Sequence, residues 1–146
     1  MKQDGRLARM IHVLIHMGLL GGRETSDTIA KMLNTNPVVV RRTMGALRLR
    51  GIVKSEGGRG GGWMLQRPLD ELTILDVQMA LDDGVLLPAG ISRDHPSCPV
   101  EHATNVALTA AFSSAEVVLR DEFSRQTLAQ LAQVALGTHG TSPKTA

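Results

Sequence analysis

The sequence predicts a mainly α fold with one small β-hairpin, a winged helix-turn-helix followed by a long C-terminal helix. Three observations carry that expectation. Two helical periods are joined by a short turn, and the second opens on a capping residue. A pair of short strand-like runs around a glycine cluster follows at once. Farther on, residues 100–123 contain neither Gly nor Pro. Aromatics make up 2% of the 146 residues (Trp63, Phe112 and Phe123), whereas 42% are apolar. A core of Leu, Val, Ile, Ala and Met suits packed helices better than sheets.

Taken in order, Leu7, Met10, Ile11, Leu14, Met17 and Gly18 recur at helical spacing, so about 5–20 is a first amphipathic helix stopped by Gly21-Gly22. Thr25-Ser26-Asp27 offers capping oxygens for a second helix over about 26–33, with Ile29, Ala30 and Leu33 inward. Asn34-Thr35-Asn36-Pro37 is a turn into a third helix. Asn36 is its cap, and Pro37 takes the first helical position, where a missing N–H costs nothing. This helix runs to about Arg50 and stops at Gly51. Ile52–Ser55 and Gly62–Leu65 are strand-like, and residues 56–61 form the hairpin tip. A fourth helix covers about 73–83, with Leu75, Val77, Met79 and Ala80 available for packing. Residues 85–99 read as a loop. Ala103, Val106, Ala107, Ala110, Ala111, Ser114, Val117 and Val118 line a small-residue seam on the long helix. Ser124 is the expected cap of a last helix over 127–136. The tail from Gly137 is expected to be disordered. The domain plan is therefore 1–84 winged domain, 85–99 sensor-like loop, 100–136 long helix with a final short helix, and 137–146 tail.

The net charge of +2 conceals a split. Residues 1–67 hold twelve Lys or Arg against four acids, whereas the remainder holds four against ten. A cationic half joined to an anionic half points to a polyanion-binding unit plus a second task. A lone cysteine, Cys98, allows no internal disulfide and fits a reducing cytoplasm. No apolar run is long enough for a transmembrane helix and no signal-peptide pattern opens the chain, so a cytoplasmic protein without membrane partners is expected. No enzyme is expected either. Gly-x-Ser-x-Gly, His-Glu-x-x-His and a nucleotide loop are missing, and Asp82 and Asp83 adjoin on a helix and so point apart.

In the third helix Val40, Met44 and Leu47 share one face while Arg41, Arg42, Arg48 and Arg50 project elsewhere. Arginines near the start of such a helix suit guanine O6 and N7 in the major groove of duplex DNA. Thr35 and Asn36, at the helix N-terminus, suit a phosphate. Arg59, alone among glycines, suits a minor groove beside the wing. Ser26, Pro37, Val38, Lys54 and Gly60 complete the candidate DNA-contacting set. The alternatives are a solvated basic face and a merely flexible hairpin. The glycines do not fit a phosphate loop, having no Gly-Lys-Ser/Thr ending.

The stretches Thr35–Arg42, Gly51–Ser55, Gly58–Leu65 and Leu72–Val77 resemble the Rrf2 family of bacterial winged-helix regulators. The Asn36-Pro37-Val38-Val39 run and Cys98-Pro99-Val100 most resemble its YwnA-like branch, and the resemblance spans about 7–136. It implies a homodimer paired through the long helix, binding of double-stranded operator DNA by the third helix and wing, and usually repression. It places Asn36, Val38, Arg41 and Arg42 at groove-facing positions and Arg59 on the wing. A two-fold dimer implies an inverted-repeat operator. Trp63 stands where the family more often has Tyr.

A larger departure lies in residues 85–99. Iron–sulfur members of the family carry three cysteines there, and this chain has Cys98 alone, so no conventional cluster and no other cofactor is expected. Cys98 is instead a redox candidate, its thiolate favoured by a nearby His or by the helix starting at Pro99. An inert packed thiol stands beside that reading. Asp94, His95, Cys98 and His102 are weak candidates for a mixed metal site. His12 and His16, one turn apart, are a weaker pair. Whether the effector is an oxidant or a small molecule stays open at this point. So do two alternative roles, a metal-sensing regulator and a winged adaptor that binds protein rather than DNA.

Overall fold

In the computed structural model, residues 5–58, 61–81, 84 and 86–139 are described. Met10, Val13, Leu14 and Met17 are buried along one stripe of the first helix, α1 (Arg6–Leu20), as their three- and four-residue spacing dictates. The helix ends because Gly21 turns to φ 67° and donates its N–H to the Met17 carbonyl at 3.0 Å.

The second helix, α2 (Ser26–Leu33), starts where Thr25 Oγ1 accepts the Thr28 N–H at 3.1 Å. It closes on Asn34, the one described non-glycine residue with positive φ, at 53°. Asn and Gly tolerate that left-handed conformation better than other residues. Asn36 Oδ1 then accepts the Val39 N–H at 3.1 Å and caps the third helix, α3 (Pro37–Leu49), with Pro37 in its first turn. The two helices and the turn between them are the expected helix-turn-helix.

After α3, strands β1 (Val53–Glu56) and β2 (Gly62–Leu65) pair antiparallel, with Ser55 opposite Trp63. The tip residues Arg59 and Gly60 lie outside the described residues. A feature with no local sequence signal ties this hairpin down. Glu24, between α1 and α2, exchanges both backbone hydrogen bonds with Trp63, at 3.0 and 2.8 Å. Gly62 makes that approach possible, since a Cβ there would lie 2.7 Å from the Glu24 carbonyl oxygen.

A short 3-10 turn (Leu69–Glu71) leads to the fourth helix, α4 (Ile74–Leu81). Thr73 and Asp76 form a reciprocal capping box: Asp76 N–H donates to Thr73 Oγ1 at 3.1 Å and Thr73 N–H to Asp76 Oδ2 at 2.9 Å. Thr73 is thus the cap and not the first helical residue. Asp82, Asp83 and Val85 lie outside the described residues.

The long helix, α5 (Pro99–Arg125), is followed by α6 (Leu128–His139). Three expectations need correction here. Ser124 is not the cap of the last helix; its hydroxyl donates back to the Asp121 carbonyl inside α5 at 2.7 Å. The cap is Thr127, whose Oγ1 accepts the Gln130 N–H while Gln130 Oε1 accepts the Thr127 N–H. Residues 137–139, expected in the tail, continue α6, and 140–146 lie outside the described residues. Finally, α6 does not group with α5. Its Leu128 and Ala132 belong to the same hydrophobic core as α1, α3 and β1, and Leu128 N–H donates to the Leu72 carbonyl at 2.8 Å. The winged unit therefore contains both the first and the last described helix, and α5 is an excursion from it. No described helix is long and apolar enough to cross a membrane.

Candidate nucleic-acid interface

The core fixes which way α3 faces. Val40, Met44 and Leu47 are wholly buried, so at about 3.6 residues per turn Val38, Arg42, Gly45 and Leu49 occupy the opposite face, with Arg41 and Arg48 on its flank. The exposures agree. Arg41, Arg42, Arg48 and Arg50 are all exposed, and none of their side chains makes a hydrogen bond or ion pair with a described residue. Val38 is 62% exposed and Leu49 84%. A Cβ at Gly45 would meet no described atom within 4 Å, so nothing among the described residues requires a glycine on that face.

The remaining candidates divide by what already holds them. Thr35 is exposed, and its N–H donates to the Ala30 carbonyl at 2.9 Å. Asn36 spends its carbonyl oxygen on the cap, which leaves its amide N–H groups free to donate outward. Pro37 is half-buried in the first turn. Ser26 turns out to be a joint: its Oγ accepts the Trp63 indole N–H at 3.0 Å, locking α2 to the wing. Lys54 is exposed on β1. An ion pair from Arg23 to Glu56 adds a second tie between the α1–α2 segment and the hairpin. Arg59 and Gly60 lie outside the described residues. With α3 packed on β1, and β2 bonded to Glu24 and Ser26, the helix and the two strands are joined in one packed unit. Sequence reasoning missed Glu24, because a single bridging residue carries no periodicity.

The segment before α5 is tied to the start of that helix through Ser92 and His95. Asn105 clasps Ser92 twice: its Oδ1 accepts the Ser92 N–H at 3.0 Å and its Nδ2 donates to the Ser92 carbonyl at 2.8 Å. Glu101 Oε2 accepts both Ser92 Oγ–H and the His95 N–H, at 2.9 and 2.8 Å. Cys98 occupies the N-cap position, partly exposed, with Pro99 in the first turn. The backbone N–H groups of Glu101 and then Val100 hold its thiol below the ordinary value, outweighing a small opposing effect of desolvation. The helix terminus thus favours the thiolate, and no histidine contributes. Among the described residues no three His, Cys, Asp or Glu side chains gather to hold a metal, so Asp94, His95, Cys98 and His102 do not make the mixed site considered from sequence. His12 and His16 hydrogen-bond each other, Nε2 to Nε2 at 2.9 Å, on the exposed face of α1.

The third candidate surface is α5 itself. None of its 27 residues is buried. The whole expected seam, from Ala103 through Ala110 and Ser114 to Val118, is exposed, with Val117 at 69%. Besides the Ser92 and His95 bonds near its start, α5 is tied at Arg120, which donates to the Gly84 carbonyl at 3.1 Å and, within the helix, pairs with Glu116 at 3.0 Å.

Comparison with known proteins agrees with this geometry. The family model Rrf2, described as an iron-dependent transcriptional regulator, matches residues 4–134. YwnA of Bacillus subtilis (strain 168), a proposed HTH-type transcriptional regulator, is 32% identical over 125 residues, which cover 86% of this chain and 92% of YwnA. The crystal structure of a proposed DNA-binding protein aligns with a TM-score of 0.68 at 28% identity, covering 86% of this chain and 97% of that one. CymR (YrzC), the global cysteine regulator of B. subtilis, shares the fold with a TM-score of 0.60 at 23% identity, covering 92% of this chain and 98% of CymR.

Proposed function

This chain belongs to the Rrf2 family of DNA-binding transcriptional regulators, and we propose that it acts as a homodimeric repressor on an inverted-repeat operator. The observation that carries the DNA contact is the outward face of α3, where four exposed arginine side chains have no partner among the described residues. Arg41 and Arg42 sit early enough in the helix to reach guanine edges, while Arg48, Arg50 and Lys54 are placed for phosphates. The open helix N-terminus at Thr35 and Asn36 supports a phosphate contact there. Dimerisation is supported by α5, whose exposed Val and Ala seam would meet the same seam of a second copy across a two-fold axis. In this scheme α3 and the wing bind, α5 sets the spacing of two half-sites, and the relatives, being regulators, support a role without catalysis.

The family description names iron, but the donor set here does not fit an iron–sulfur cluster. The sequence supplies one thiol, and Glu101, the carboxylate nearest it in sequence, already accepts two hydrogen bonds. We therefore assign no cofactor. Cys98 instead supports redox control, because its thiolate is stabilised and accessible. With peroxide, the thiolate sulfur takes one oxygen to give the sulfenic acid and the other leaves as hydroxide. That change would sit at the foot of the dimer helix.

The direct test is a salt titration of binding to duplex DNA selected by the protein from a random pool. Affinity should fall log–log with a slope near −0.9 per phosphate neutralised, roughly −5 or steeper for two half-sites. A flat response would favour an adaptor that binds protein instead.

A further inference from the structure

Three valines open α3, and only one of them belongs to the core. Val40 is fully buried, whereas Val38 is 62% exposed and Val39 43%. Nothing in local stability recommends this. β-branched residues are poor on an exposed helical surface, and a valine in water gains nothing from burial. Both sides of Val38 are nevertheless furnished for DNA. Asn36 and the open helix terminus precede it, and Arg41 and Arg42 follow at three and four residues, on the same side of the helix. In a helix entered end-first into a major groove, the first turn meets base edges. The only apolar group a base pair displays there is the C5-methyl of thymine.

We infer that Val38 reads a thymine methyl, so that each half-site holds a required thymine beside the guanine contacted by Arg41 or Arg42. The inference rests on the DNA-reading role proposed above and adds the base class that this position selects. Arginine alone fixes guanine but leaves the neighbouring pair unspecified; an apolar branch beside it rejects cytosine, whose exposed amino group would lose water without gaining a partner. Gly45 supports the same picture. It lies a further turn along that face with open space above it, so no side chain props the helix away from the groove floor.

The test uses the full chain and duplexes it enriches from a randomised pool. Each thymine of the enriched site is replaced singly by deoxyuridine, which deletes the methyl and keeps every hydrogen-bonding group. Wild-type affinity should fall about threefold to fourfold at one thymine per half-site, the value of one buried methyl. Val38→Ala should bind the thymine duplex more weakly and show no further loss on the deoxyuridine duplex. Because Val38 is exposed and Ala is the better helix former, the thermal midpoint of Val38→Ala should not fall below wild type, and Val38→Ser provides a second variant with the same expectation for binding. A consensus without a fixed thymine overturns the inference. So does a wild type indifferent to deoxyuridine at every position, or a Val38→Ala protein as sensitive as wild type. Failure to enrich any duplex overturns the DNA-reading role itself, and the thymine contact with it.

Discussion

The winged unit and α5 solve opposite problems with similar residues. In the winged unit, apolar side chains from α1, α2, α3, α4, α6 and β1 converge until Leu14, Ile29, Met44 and Leu128 lose all contact with solvent. In α5, Val106, Val117 and Val118 stay more than half exposed, and no residue of the helix is buried. Burying such side chains is the dominant favourable contribution in folding, so a 27-residue helix that hides none of them is incomplete by itself. In the proposed homodimer, the difference separates what the chain finishes alone from what it leaves for its second copy.

That contrast can be broken most strongly at the seam. Ala110→Glu should leave the winged fold intact yet place like charges against each other across the two-fold axis. Sedimentation should then show monomers, and operator affinity should drop about 10²–10⁴-fold as the linked second half-site is lost. A monomeric wild type would sink this expectation at once. Leu14→Ala attacks the other side of the comparison. It should cost about 2–5 kcal/mol by urea denaturation, because a wholly buried leucine leaves a cavity. The same truncation at Leu108, 40% exposed on α5, should cost the isolated monomer far less.

How far the sequence reveals each region follows from where the signals reside. Helices α1 to α3 were predictable to within about a residue because their stops and starts are local: Gly21, Thr25, Asn36 and Gly51 act on the adjacent turn. Ser124 misled because a serine within a helix and a serine at a cap look alike in sequence; the hydrogen bond to Asp121 decides between them. Thr127 with Gln130 carried the recognisable capping-box signature. The return of α6 into the core and the Glu24–Trp63 bridge are contacts between distant segments, and no local periodicity encodes them. At the candidate interface, the outward arginines Arg41 and Arg42 followed from helical phase, whereas Val38 was placed there by the family resemblance. The engagement of Ser26 with the indole followed from neither, because a short polar side chain points equally well at DNA or at a neighbour.

A smaller effect sharpens the view of α3. Gly45→Ala should raise the thermal midpoint, since Ala exceeds Gly in a helix by about 1 kcal/mol and its Cβ meets nothing. If the groove lies against this face, DNA affinity should fall at the same time. Unchanged affinity with raised stability would remove Gly45 from the interface. The smallest expected effect is at Cys98. Its folded-state pKa is lowered, so thiolate stabilisation is present above the unfolded value and lost as pH falls through the folded one. Alkylation by iodoacetamide should accordingly have its midpoint at lower pH than in the urea-unfolded chain. Coincident midpoints would leave the helix terminus without influence on the sulfur.

The bond from the Trp63 indole to Ser26 has one further consequence. The chain has a single tryptophan and no tyrosine, so its intrinsic emission comes from one ring at the seam between hairpin and second helix. Any event that pries the wing loose, or clamps it harder, must change the colour or brightness of that light. The protein thus carries a built-in optical gauge of its own grip.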